Sequence, residues 1–220
     1  MIDLPTFKNQ QLFEHAFIHR SYLNETKEKI ESNERLEFLG DSILSFVVSD
    51  HLYKTYPDFD EGILTNLRSL VVNTKSLAKA AQALDFGNKL RLSRGEEESN
   101  GRKNESLLAN TFEAFIGALF MDQGTEAVHG FLSQTIIPQI EEYVQKKVFK
   151  DPKSLLQEFV QSKKQNSPQY KVLKEEGPAH AKTFTIGVFV EQAQVGEGVG
   201  HSKQEAEERA AEQALEKIAK

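Results

Sequence analysis

From residue 1 to about residue 146, apolar residues recur three and four positions apart and long alternating runs are missing. That is the period of helices with one buried face. It predicts helices over about 9–22, 33–55, 61–84, 104–122 and 125–146. Tyr56-Pro57-Asp58 reads as a break, because proline restricts the residue before it. The polar stretches 24–32 and 94–101 read as loops. Near residue 150 the pattern changes. Asp151-Pro152 places an N-cap residue before a proline suited to a first helical turn, which opens a short helix over 154–164. Phe184, Ile186, Val188 and Val190 then alternate with other residues, as in a half-buried strand. Tyr170, Val172 and Lys174 suggest a strand before it, and the Gly-rich run 195–200 a strand after it. Ser202-Lys203-Gln204-Glu205 has the form of a capping box. The helix it opens turns Ala206, Ala210, Ala211, Ala214, Leu215 and Ile218 inward. The expected architecture is multidomain: an all-α domain over 1–147, a linker over 148–151, and a small α+β domain of order α-β-β-β-α over 152–220.

Composition narrows the chemistry. The 220 residues suffice for a real core. Cysteine is absent, so disulfides, thiolate nucleophiles and Cys-based zinc sites are excluded, and a reducing cytoplasm suits the chain. No secretory signal or membrane-spanning run is visible. The 27 basic residues are outnumbered by 33 acidic ones. Taken alone, that balance argues against a nucleic-acid partner. It is compatible with one if charge is segregated and metal ions neutralise an acidic cleft.

The acids are not scattered evenly. Glu37 and Asp41 stand four apart in Asn33-Glu34-Arg35-Leu36-Glu37-Phe38-Leu39-Gly40-Asp41, and Glu34 joins their face. Leu36, Leu39, Ile43, Phe46 and Val47 mark a separate apolar stripe, so this helix is partly buried. Acids beside a core repel one another and resist desolvation. A hard divalent cation relieves both and prefers oxygen ligands. Far along the chain, Asn110 and Glu113 stand three apart on another predicted helix. Packing through Gly40, Ala114 and Gly117 would gather all four side chains. Spacing alone fits separate solvated charges equally well. His15 and His19 stand four apart, but no third ligand completes a zinc pattern, which favours structural histidines. The scattered phenylalanines read as core.

The wording of these runs closely resembles bacterial ribonuclease III. The resemblance extends through His19-Arg20-Ser21-Tyr22, residues 33–44, Glu61-Gly62, Gly95-Glu96-Glu97 and the run ending at Glu113. The C-terminal part resembles a double-stranded RNA-binding domain, with Gln157, Gly177-Pro178-Ala179-His180 and the Ser202-Lys203 helix start at matching places. The resemblance implies a helical endonuclease domain that dimerises, followed by a domain that holds the duplex. It implies divalent ions, Mg²⁺ with Mn²⁺ able to substitute, at Glu37, Asp41, Glu113 and position 110, and no organic cofactor. Glu37, Asp41 and Glu113 are the expected catalytic set. The reaction implied is hydrolysis of phosphodiester bonds in double-stranded RNA, leaving 5′-phosphate and 3′-hydroxyl ends, within the processing of ribosomal and other structured precursors. A homodimer with two active sites would cut opposite strands. Glu34, Glu61 and Glu96 are auxiliary candidates, and exposed acids otherwise. Arg102 and Lys103 could touch phosphates or lie in a solvated loop.

Position 110 departs from the family pattern, which usually has Asp. Asn keeps a carbonyl oxygen but loses the charge. The alternative reading is therefore a double-stranded RNA-binding protein with impaired or absent cleavage.

For the duplex itself, A-form RNA is read through its minor groove and 2′-hydroxyls. Gln157 and Gln161 share a helix face, His180 sits in a strand connection, and Ser202 and Lys203 begin a helix whose amides favour phosphate. The family usually has a second basic residue after Lys203, where this chain has Gln204. Residues 151–220 hold 10 Lys or Arg against 11 Asp or Glu, so charge must be arranged by face.

Overall fold

A computed structural model describes residues 4–177 and 182–218. The chain divides into two compact units, Met1–Phe149 and Lys150–Lys220.

The first unit is helical: α1 (Gln10–His15), α2 (Glu34–Thr55), α3 (Glu61–Val71), α4 (Thr74–Ala83), α5 (Phe86–Lys89), α6 (Arg94–Glu98), α7 (Glu105–Gln123), α8 (Thr125–Thr135) and α9 (Ile137–Gln145), with 3-10 turns at Arg20–Asn24 and Gly101–Lys103. At its centre α7 buries Phe112, Phe115, Ile116 and Leu119 and packs against both α4 and α2, whose buried residues include Leu44, Val48 and Leu52. Phe17, Phe86 and Phe131 surround Phe115 with ring centroids 6.2, 5.0 and 5.1 Å away. The segment before α1 is pinned by two backbone N–H groups, of Lys8 and Asn9, that donate to the Asp122 carboxylate at 2.7 and 2.9 Å.

Several predicted helices are interrupted. The expected 61–84 helix is two, α3 and α4, joined at Asn73. That side chain donates to the Leu70 carbonyl at 2.8 Å and accepts from the Ser76 N–H at 2.9 Å. It thereby closes one helix and opens the next. The expected 125–146 helix breaks at Ile136, ahead of Pro138 in the first turn of α9. The expected 9–22 helix ends at His15 and resumes only as a 3-10 turn. Conversely, α6 lies inside the predicted 94–101 loop. Ser93 caps it, its hydroxyl accepting from the Glu96 N–H at 3.3 Å.

Two further expectations need correction. The phenylalanines are not all core: Phe38 is 79% exposed and Phe46 57%. Of the expected α2 stripe, Leu36 and Val47 are buried and Leu39 and Ile43 partly so, while Leu44, Val48 and Leu52 complete the buried face.

The second unit has the order α10 (Pro152–Ser162), β1 (Gln169–Glu176), β2 (Thr183–Val190), β3 (Ala193–Gly200) and α11 (Lys203–Ile218). The sheet is antiparallel with order β1-β2-β3, and Val188 pairs with both Tyr170 and Gly196. Asp151 caps α10 through the Ser154 N–H at 3.0 Å. Ile186, Val188 and Val190 face the helices, where Leu156, Val160, Ala210, Ala211 and Ala214 are buried. A Cβ on Gly198 would come within 2.3 Å of the Ala206 carbonyl, so the glycines of β3 let α11 lie against the strand backbone. Ser202 accepts from the Glu205 N–H at 3.1 Å. The Glu205 carboxylate reaches back to the His201 N–H at 2.7 Å, one residue beyond the usual capping-box partner. Ile218, expected inward, is 36% exposed at the helix end.

Candidate active-site cleft

The close approach of α2 and α7 builds the site. A Cβ on Gly40 would sit 1.7 Å from the Glu113 carbonyl oxygen, and one on Gly117 would sit 2.2 Å from that of Leu36. Only hydrogen at both positions permits this backbone contact. The face of α2 carrying Glu37 and Asp41 is thereby set beside the face of α7 carrying Asn110 and Glu113.

Those four side chains line one cleft of about 650 Å³, with Glu34, His19, Arg20, Asn33, Phe38, Ser106, Leu107 and Thr111. Asn33, only 4% exposed, anchors the turn ahead of α2. Its side chain donates to the Ala16 carbonyl at 2.9 Å, and its backbone N–H to that of Ile18 at 2.8 Å.

Crowding shows in the acid strengths. The Glu113 carboxyl is pushed up to about 7, first by burial and then by the charges of Asp41 and Glu37. Glu37 is raised by burial and by Glu34, while a hydrogen bond from the Asn110 side chain opposes the rise. The Asn110 side chain thus favours the charged form of Glu37. An aspartate at 110 could not do this once ionised.

The donor set suits a hard divalent cation, being three carboxylates and an amide oxygen. Among the described residues, no three acidic or histidine side chains stand together as a metal-holding group.

The other candidates divide. Glu34 is at the cleft rim, where it accepts from the Ser32 hydroxyl at 2.8 Å and faces Arg20 at 3.6 Å. Glu96 lines an adjoining groove of about 580 Å³ with His19, Arg20, Ser21, Asn24 and Asn104. Glu61 is not among the residues lining either space. It sits in the first turn of α3 and accepts from Thr65 at 3.1 Å. Arg102, suggested as a phosphate contact, is a structural clamp. Its guanidinium donates to the carbonyls of Gly87 and Leu90 at 2.9 and 2.8 Å and pairs with Glu97. The cleft residues that spacing did not single out are Arg20, Asn33, Phe38, Ser106, Leu107 and Thr111. The quoted His-Arg-Ser-Tyr run was the one signal toward Arg20.

In the second unit, Gln157 and Gln161 are exposed four residues apart on α10. Ser202 and Lys203 are exposed at the start of α11, with Lys203 Nζ 5.8 Å from the Phe184 ring centre. Glu207 is turned to Lys153 of α10 at 2.5 Å. His180 lies outside the described residues.

Comparison with known proteins agrees with both units. Residues 9–140 match the ribonuclease-III-like family, and residues 152–218 match the double-stranded RNA binding motif. The chain is 49% identical over 213 residues to ribonuclease 3 of Anoxybacillus flavithermus, covering 96% of this chain and 89% of that protein. It is 47% identical over 210 residues to that of Lactococcus lactis, covering 95% and 90%. A crystallised nuclease domain of ribonuclease III from Campylobacter jejuni, described for flexibility in a region involved in dimer formation, superposes with a TM-score of 0.56. It is 37% identical and covers 60% of this chain and 90% of that one. With its acid-lined helical unit followed by an α-β-β-β-α unit, the chain belongs to the ribonuclease III family.

Proposed function

We propose that this chain is an endoribonuclease that cleaves double-stranded RNA by divalent-metal-assisted hydrolysis. The observation that carries the reading is the gathering of Glu37, Asp41, Asn110 and Glu113 in one cleft, with the Glu113 carboxyl held near neutrality. Glu37, Asp41 and Glu113 are its catalytic set, and with the Asn110 amide oxygen they would hold the ion. Mg²⁺ is the expected cofactor and Mn²⁺ a substitute. A divalent cation there supplies Lewis acidity and a water nucleophile near neutral pH. The carboxylates orient that chemistry toward the phosphodiester, and no side chain becomes covalently attached. The products are 5′-phosphate and 3′-hydroxyl ends, and the substrates are ribosomal and other structured precursors in the cytoplasm. Among the described residues, no helix is long and apolar enough to cross a membrane.

Gln157, Gln161, His180, Ser202 and Lys203 are the proposed duplex contacts of the second unit, and residues 148–151 its linker. The working form is a homodimer. Phe38, Phe46 and Tyr53, eight and seven residues apart, form one exposed apolar stripe on α2 beside the cleft. Such a stripe is costly in water and suits burial against a second copy.

Asn110 favours a second reading, a duplex-binding protein with little cleavage, because its amide engages Glu37. One assay separates the two. Labelled duplex RNA is incubated with the protein in Mg²⁺ and in chelator, and both retardation and cutting are measured. Mg²⁺-dependent cuts, lost about 100-fold or more in Glu113→Gln with binding retained, support the enzyme. Retardation without cuts in either condition supports the binder.

A further inference from the structure

His19 shares no helix with His15. His15 ends α1, with Nε2 2.9 Å from the Ser32 carbonyl oxygen. His19 opens the following 3-10 turn and lines both the acid cleft and the adjoining groove. Its Nδ1 accepts from the Ser21 N–H at 3.3 Å and sits 2.8 Å from the Ser21 hydroxyl. That hydroxyl oxygen accepts from the Ser93 N–H at 3.0 Å, tying the turn to the start of α6.

This network assigns the tautomer. A backbone N–H can only donate, so Nδ1 is the bare ring nitrogen and the proton of the neutral ring is on Nε2. Burial holds the imidazole below its ordinary pKa, with Glu96 opposing, Arg20 assisting and Glu34 opposing. At neutral pH the ring is therefore neutral, with one directed donor. Among the described residues, Nε2 has no hydrogen-bond partner and is not sealed from solvent. An oriented, unspent N–H beside crowded carboxylates has no use within the fold. Phosphate and ribose oxygens of a nucleic-acid strand are acceptors, and contacts to them set register.

We propose that His19 is a substrate-positioning contact, donating Nε2–H to an oxygen of the RNA sugar–phosphate backbone next to the scissile bond. This rests on the duplex-cleaving reading above. The Ser21 and Ser93 bonds hold the ring in place, so the donor is set before RNA arrives.

Two substitutions separate this contact from a merely structural cap. Asn is a favoured N-cap residue and retains an acceptor for the Ser21 N–H, but lacks the distal donor. Gln reaches the Nε2 position with an amide N–H but gives up the local cap. Single-turnover cleavage by the full-length protein at saturating concentration should fall 10- to 100-fold in His19→Asn with the melting temperature unchanged. His19→Gln should recover at least tenfold of that loss. A His19→Asn protein cutting within twofold of wild type, or a His19→Gln protein no faster than His19→Asn, would overturn the proposal. Duplexes with 2′-deoxy nucleotides flanking the cut identify the acceptor. If it is a phosphate oxygen, the His19→Asn deficit persists on them; if a 2′-hydroxyl, the wild-type rate drops to the variant's.

A second readout is independent of catalysis. Histidine-selective ¹⁵N spectra of the full chain carrying Glu113→Gln, in Mg²⁺, should show the His19 Nε2–H resonance shifted and protected from exchange by duplex RNA. An unmoved resonance at saturating RNA contradicts the contact. Absence of cutting in wild type, with this resonance still shifted, sinks the nuclease reading and leaves the contact standing.

Discussion

The two units solve opposite problems. The first crowds acids into a half-buried cleft, where position is everything and the helix backbones touch. The second spreads Gln157, Gln161, Ser202 and Lys203 over an exposed surface, where each side chain acts nearly alone. Function in the first depends on glycines that never meet substrate. In the second, glycines place α11 on the sheet, but the proposed duplex contacts are separately replaceable. Damage should therefore be cooperative in one unit and graded in the other.

The largest effect should come from Gly40→Ala. Its Cβ has nowhere to go but into the Glu113 carbonyl, so the two helices must separate. We expect a stability loss of about 3 kcal/mol in denaturant melts. Cleavage should fall by about 100-fold or more, since misplacement by an ångström costs that much. A protein of normal stability and rate would break the comparison.

Asn110→Asp should have the next largest effect. It removes the Asn110 side chain that favours the charged form of Glu37 and adds a charge to the proposed ligand set. We expect the Mg²⁺ concentration for half-maximal cleavage to fall by about tenfold, at the lower end of the effects seen when groups around a metal are altered. Identical Mg²⁺ titrations for the two proteins would mean that position 110 does not face the ion.

Lys203→Ala, in the second unit, should weaken duplex binding by only a few-fold, similarly for all sequences, and reduce the slope of log affinity against log salt by about one. An unchanged slope would remove Lys203 from the phosphate contacts.

The smallest signal is a slope against pH. Burial and the neighbouring Asp41 and Glu37 push the Glu113 carboxyl up to about 7 in the folded protein, and unfolding returns it to the ordinary carboxylate range. Between those values the folded state binds the extra proton, so metal-free stability falls as pH rises through this window and levels off above it. Glu113→Gln should flatten that part of the profile. By the same linkage, Mg²⁺ must displace this proton, so its affinity should rise from pH 6 to pH 8. Metal-free melts without the slope would remove the crowding from the account.

Much of this was legible in the chain. Residues 34–55 and 105–123 form the long helices that their apolar spacing predicts, and α10 opens at the Asp151-Pro152 cap, two residues ahead of the 154–164 helix expected there. Gly40 and Gly117 were recognisable as contact points because small residues sat on the faces beside the acids. The break at Asn73 was hidden, since apolar spacing continues on both sides and only the side-chain bonds of Asn73 reveal the joint. α6 was hidden by length, five residues being too few to show a period. Phe46 was misassigned because periodicity marks a face as apolar without saying whether core or partner covers it. The place of His19 was hidden because the cleft and groove it lines are completed by residues distant in sequence, among them Glu96, Ser106 and Asn110.

The most direct test of the central claim is anomalous diffraction from crystals of the full chain grown with Mn²⁺. The account predicts a peak in the cleft, within bonding distance of carboxylate oxygens from Glu37, Asp41 and Glu113 and of the Asn110 amide oxygen. A protein that cuts duplex RNA with Mn²⁺, yet binds the ion elsewhere and leaves these four side chains uncoordinated, would contradict it.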